Sequence, residues 1–298
     1  MMRTLITGAT GFVGQYAMQA MPGAIAIESG GAVELRDKSS IANALVGKKF
    51  DSVLHLAAQS LVPRAMADPR ETCEVNFIGT LNLFECLKES GFSGRVLCVS
   101  SAEVYGLVDE SKLPIKEEEQ LRPRNPYAAS KAAVEALCHH WNDSGAFEII
   151  IARPFNHIGP GQSPSFFVSD MARQLAEMKL GRRAKQLEVG DIEVTRDFTD
   201  VRDVVCAYKA LLEKGKKGEV YNLCSGNEIR LKDVIGGLKK ISGVDFEIKV
   251  VEERVRRSEQ KRVVGSYAKL KQATGWQPEA PMEKSLADIF DFWRKELQ

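Results

Sequence analysis

Short apolar runs alternate along the chain with longer stretches whose apolar positions recur every three or four residues. "RTLIT" (3–7), "DSVLHLA" (51–57), "RVLCVS" (95–100), "EIIIA" (148–152) and "EVYNL" (219–223) are too continuously apolar to leave one face in water. They predict strands buried on both sides, and "AIAI" (24–27) predicts a second strand after the first. Between them, "GTLNLFECLKES" (79–90) and "YAASKAAVEALCHHW" (127–141) predict helices. In the latter, Val134, Leu137, Cys138 and Trp141 form an i, i+3, i+4, i+7 stripe. Strand and helix in alternation predict an α/β fold, a Rossmann-type doubly wound parallel sheet with helices on both faces.

After about residue 153 the alternation loosens. "RPFNHIGPGQSPSFF" is rich in Pro, Gly and Asn and predicts a loop leaving the sheet. "RDFTDVRDVVCAYKALLEKGKKGEVYNL" returns to helix and strand, and the last 70 or so residues read as a small helical module. The expected division is a dinucleotide-binding domain over 1–155, with 196–225 returning to it. A smaller C-terminal α/β domain over 156–195 and 226–298 is expected to bind substrate.

Composition narrows the function by exclusion. The net charge of +1 carries no basic excess for nucleic acid. No run of about 18 apolar residues predicts a membrane span, and "MMRTLITGAT" leaves no room for a signal peptide. Six cysteines without a C-x-x-C pair predict buried free thiols in a reducing cytoplasm, and four histidines without partners at ligand spacing predict no metal site.

"TLITGATGFVG" places Gly8, Gly11 and Gly14 directly after the first strand and before a helix. A pyrophosphate approaching the backbone and a helix N-terminus needs such a side-chain-free turn. Glu28 stands where an acid would hold a ribose 2′-hydroxyl and favour NAD, whereas Arg36 could equally reach a 2′-phosphate. The residues leave that choice open. "NPYAASK" puts Tyr127 and Lys131 one helical turn apart, where an ammonium favours the phenolate and makes tyrosine a usable acid–base group. "VSSAEVYG" (99–106) adds Ser100, Ser101 and Glu103 at a strand end, and Tyr105 there reads as packing.

"TGATGFVG", "HLAAQS" (55–60), "VNFIGTLNL" (75–83), "SSAEVYG", "YAASK" and "RPFNHIGPGQ" stand in the order of the extended short-chain dehydrogenase/reductase family, which the whole chain resembles. The resemblance implies that Ser101 hydrogen-bonds the reacting oxygen and that Tyr127 moves the proton. It implies that Lys131 tunes Tyr127 and binds the nicotinamide ribose. It also implies a cofactor lying along Gly8, Gly11, Phe12, Val13, Gly14, Asp37, Leu56, Ala57, Ala58, Ser60 and Asn76. Asn156, Arg196, Arg256 and Glu259 then face a sugar nucleotide, with Arg257 standing where the family usually has proline. Within the family the chain most resembles reductases of GDP-4-keto-6-deoxy-D-mannose. That implies hydride delivery from NADP(H), or alternatively NAD(H), to C4 of a GDP-linked 4-keto-6-deoxy sugar, giving GDP-D-rhamnose in a homodimeric enzyme.

Glu103 keeps a second reading open, since related 4,6-dehydratases carry a general base there. A non-catalytic nucleotide sensor is opposed by the intact Ser-Tyr-Lys set. A C3/C5 isomerase is opposed by the lack of a cysteine near His157.

Overall fold

β1 (Thr4–Thr7) and β3 (Ser52–His55) are buried at all four of their residues, as strands covered on both faces must be. With β2 (Ile25–Ala26), β4 (Arg95–Val99), β5 (Glu148–Pro154) and β9 (Val220–Leu223) they form one sheet in the order β2-β1-β3-β4-β5-β9. Every neighbouring pair is parallel. All six strands therefore end at the same edge, and the chain order reverses between β1 and β3. Ligands of open parallel sheets bind outside the strand ends at that reversal. The computed structural model behind these observations describes residues 2–255 and 260–298.

Side-chain alternation along β5 shows how both faces are covered. Ile149 and Ile151 join Leu83, Phe84 and Leu87 of helix Gly79–Glu89, and Val134, Cys138 and Trp141 of helix Pro126–Ser144. Ile150 and Ala152 point the other way, to Ala17 of helix Phe12–Ala20 and Val204, Tyr208 and Leu211 of helix Val201–Lys214. Each such aliphatic side chain taken from water contributes about 1.5–3 kcal/mol, so these contacts fix the helices on the sheet. Helix Pro126–Ser144 is well bounded. Asn125 caps it by accepting from Ala128 N at 2.8 Å, Pro126 opens its first turn, and Gly145 ends it in the left-handed region at φ 73°.

Leu270 and Trp276 also pack on the sheet's second face, with Ile150 and Ala152, while most of the rest of the chain has its own core. β6 (Asn156–Ile158), β8 (Thr195–Asp200) and β10 (Glu228–Arg230) form a three-stranded sheet, and β7 (Gln186–Val189) pairs with β11 (Glu247–Val250). Helices Phe167–Lys179, Leu231–Ser242 and Met282–Glu296 bury Met171, Leu175, Leu238, Ile289 and Phe290 together. The expected helical module thus also contains strands. Residues 195–200 pair in the small sheet, and the chain returns to the large one through helix Val201–Lys214 and β9. Among the described residues no helix is long and apolar enough to cross a membrane. The six cysteines are free thiols, but Cys73 and Cys206 are exposed rather than buried.

Candidate active site

The glycine turn sits at the sheet's reversal point. Gly8 adopts φ 71°, and a Cβ there would stand 2.9 Å from Ala57 N, so the turn after β1 and the loop after β3 touch backbone to backbone. A Cβ on Gly14 would meet the Gly8 oxygen at 2.1 Å, so the helix can approach the turn only without a side chain. Gly11 precedes helix Phe12–Ala20 and offers no side-chain cap, which leaves the first N–H groups for an incoming anion. Glu28 reaches back to accept from Gly8 N at 2.8 Å, and its second carboxylate oxygen is buried without a hydrogen-bond partner. A side-chain-free turn, an uncapped helix start and an orphaned acceptor fit the pyrophosphate and adenosine ribose of a dinucleotide. Arg36 is paired with Glu34 at 2.7 Å, and Asp37 caps helix Lys38–Leu45 by accepting from Ser39 N. Val13 packs on the core and Phe12 stacks on His157, their ring centroids 6.0 Å apart.

Beneath the turn runs a buried polar chain. Thr80 Oγ1 donates to the Asn76 carbonyl, so it accepts from His55 Nε2; His55 Nδ1 then accepts from Thr7 Oγ1, which itself accepts from Ala57 N. Burial pushes the His55 pKa down to about 3, with the Lys131 charge adding to the effect, so the ring is neutral. Asn76 lies in a single π-helical turn, Glu74–Ile78. Its side chain accepts from Gln59 N and donates to Gln59 O and to Ser130 Oγ. It therefore clamps the loop that carries Leu56, Ala57, Ala58 and the exposed Ser60 onto the helix bearing Tyr127.

At the end of β4, Ser101 accepts from Glu103 N at 3.2 Å and lies near enough to the Tyr127 phenol to lower its pKa. Burial and, to a lesser degree, the nearby Glu103 charge push the Tyr127 pKa up to about 12, against the pull of Ser101. The phenol thus carries its proton at neutral pH, the state a proton donor needs. Lys131 is buried and donates to the Val99 carbonyl at 2.7 Å. Burial lowers its pKa, opposed by Cys98, Cys138 and Glu135. The exposed Glu103 carboxylate accepts from Asn125 Nδ2 at 3.1 Å. Tyr105 is 1 % exposed, donates to Asn222 and accepts from Arg153, which removes it from any reacting position. Sequence reading missed Asn125, although Asn-Pro before a helix is a legible cap signal, and it missed the buried Glu135–Arg153 pair.

On the substrate side, Asn156 is exposed on β6 beside Phe198. Arg196 is buried and donates to the Thr195 and Gln260 carbonyls, tying β8 to the segment that returns beside Val108. Arg256 and Glu259 lie outside the described residues.

Comparison with known proteins bears on this arrangement. A family model described as GDP-mannose 4,6 dehydratase matches residues 31–289. The GDP-6-deoxy-D-mannose reductase of Pseudomonas aeruginosa is 45% identical over 99% of this chain and 98% of its own length. The GDP-6-deoxy-D-talose 4-dehydrogenase of Aggregatibacter actinomycetemcomitans is 31% identical over 92% of each chain. The structure of RMD from Pseudomonas aeruginosa complexed with NADPH superposes with a TM-score of 0.94, covering 99% of this chain and 100% of the other at 45% identity.

Proposed function

We propose, from the premise that this chain belongs to the extended short-chain dehydrogenase/reductases and to their GDP-mannose 4,6-dehydratase family, that it reduces GDP-4-keto-6-deoxy-D-mannose at C4 to GDP-D-rhamnose. The observation that carries the reading is full-length likeness to a reductase together with a protonated Tyr127 beside Ser101. NADPH, when bound, supplies the hydride. The uncapped glycine turn holds its pyrophosphate, and Glu28, Asp37, the 56–58 loop and Ser60 line its path. Tyr127 gives its proton to the oxygen that becomes the C4 hydroxyl, and Ser101 holds that oxygen in place. The buried Lys131 ammonium favours the phenolate left behind until solvent restores the proton. The family resemblance assigns Asn156, Arg196, Arg256 and Glu259 to the sugar nucleotide. Two arginines suit a diphosphate through forked hydrogen bonds, and a carboxylate suits a ribose diol.

The cores support a cofactor domain over 1–155 that the chain re-enters from Val201 and again through Leu270 and Trp276, and a substrate domain over 156–200 and the rest of 226–298. A homodimer is supported by the exposed Met66 and Ile78, which flank the helical run beside helix Pro126–Ser144. The free thiols support a cytoplasmic location.

The test is substrate-dependent oxidation of NADPH by purified protein, with the product assigned by NMR. Turnover of GDP-4-keto-6-deoxy-D-mannose to GDP-D-rhamnose is the expected result. Dehydration of GDP-mannose without added cofactor at a comparable rate would overturn the reading and make Glu103 a base.

A further inference from the structure

Three successive residues at the end of β4, Val99 to Ser101, meet successive turns of helix Pro126–Ser144. The Val99 carbonyl takes the Lys131 ammonium at 2.7 Å, Ser100 Oγ donates to Glu135 Oε1 at 2.5 Å, and Ser101 lies near enough to the Tyr127 phenol to lower its pKa. Tyr127, Lys131 and Glu135 stand at i, i+4 and i+8, so one helix face carries all three. Glu135 is 2 % exposed, and Arg153 of β5 grips both its oxygens, at 2.9 and 2.6 Å. Arg153 is itself fixed. It donates to Tyr105 OH and to the Glu117 carbonyl and lies over the Tyr105 ring, 4.9 Å from the centroid. The Glu135 carboxylate therefore cannot swing away from either the strand end or the helix.

A buried ion pair is weak as a source of stability, because desolvation offsets most of the Coulomb gain. Two hydrophobic side chains would serve the core as well. Glu135 does something they could not: it sets a fixed negative charge one turn from a buried ammonium and binds the residue between Val99 and Ser101. We propose that Glu135 is a positioning residue of the reduction, holding Lys131 charged and the Ser100–Ser101 strand end in register with Tyr127. This rests on the reading of Ser101, Tyr127 and Lys131 as the proton-handling set.

The charged and titratable groups around Lys131 come from four elements. They are His55 of β3, Cys98 of β4, Arg153 of β5 through Glu135, and Tyr127, Glu135 and Cys138 of its own helix. Tyr208 of helix Val201–Lys214 faces Tyr127. His55 is neutral, and burial lowers the Lys131 pKa against Cys98, Cys138 and, least of the three, Glu135, the carboxylate one turn away on the same helix.

Glu135→Gln keeps the shape and an acceptor for Ser100 but removes the charge. The expected result is a kcat lower by about 10–100-fold, the scale of a small misplacement of reacting groups, with both KM values near wild type. In the protein alone, the 13Cε resonance of Lys131, assigned by its absence in Lys131→Arg, should titrate at lower pH than in wild type. Ser100→Ala, which cuts the strand tie and keeps the ion pair, should lower kcat and leave the Lys131 titration where it was. Wild-type kcat and an unmoved titration in Glu135→Gln would overturn the proposal. If that variant does not fold, Ser100→Ala decides: undiminished kcat overturns it, and lowered kcat at unchanged melting temperature supports it. Tyr127→Phe run alongside separates the two failures, since full activity there removes the underlying site reading instead.

Discussion

Asn125 Nδ2 donates to Glu103 Oε2 at 3.1 Å while the same side chain's oxygen caps the helix that presents Tyr127 two residues later. One carboxamide thus joins the loop after β4 to the start of the proton-donating helix. Glu103 is left exposed and close enough to raise the Tyr127 pKa, although burial of the phenol is the larger cause. In a reduction its effect is to keep the donor protonated. Glu103→Gln should therefore cost less than the ~10²-fold that loss of a general acid or base brings. A larger fall in kcat for NADPH-dependent reduction would place Glu103 in the chemistry. Asn125→Ala removes the cap and should lower stability by about 1 kcal/mol, read as a fall in melting temperature.

Tyr127→Phe removes the proton donor but leaves the ring and its packing. Turnover should fall by about 10²–10⁴-fold, with KM for the sugar nucleotide little changed. Steady-state kinetics at neutral pH checks this, and near-normal kcat would take Tyr127 out of the mechanism.

The large sheet was legible because its strands are written locally. Continuous apolar runs such as "RVLCVS" and "EIIIA" leave no other buried element of that length, and they lie where β4 and β5 are found. The small sheets were not legible. β6 is three residues inside a Pro- and Gly-rich stretch, and β10 and β11 draw their pairing from strands distant in sequence. The site divided the same way. Tyr127 and Lys131 announce themselves by spacing along one helix. Glu135 has the same spacing, but its meaning depends on Arg153 and Ser100, which no local pattern connects to it. Glu28 could be located as an acid after the second strand, yet its bond to Gly8 N needed the fold to bring the turn over it.

The glycines of the first turn separate packing from binding. Gly14→Ala would push a Cβ to 2.1 Å from the Gly8 oxygen and 2.7 Å from Ala9 Cα, so the turn cannot close around it. Loss of NADPH binding together with a lowered melting temperature is expected. At Gly11 the nearest atom, the Gly8 oxygen, is 3.2 Å away, a tight contact that a small shift relieves. Gly11→Ala should keep the fold while weakening NADPH, measured by quenching of intrinsic fluorescence. Unchanged affinity in that variant would move the pyrophosphate away from the helix start.

Acid should weaken the protein through His55. The ring is 3 % exposed and bonded on both nitrogens in its neutral form, so its folded pKa of about 3 lies far below the 6.5 of the free side chain. Between these values the unfolded chain binds a proton that the folded one refuses, so stability rises with pH across that window. It is complete above 6.5 and is lost as pH falls toward 3. The slope is about 1.4 kcal/mol per pH unit, or about 2 kcal/mol between pH 6.5 and 5. His55→Gln cannot titrate and can keep one hydrogen bond to Thr7 or Thr80. It should start less stable at pH 7.5 because the network is cut, yet lose less stability than wild type on going to pH 5. Urea unfolding at the two pH values measures both changes. Equal losses in the two proteins would show that acid attacks the fold elsewhere and that His55 is not the group that must be kept neutral beneath the glycine turn.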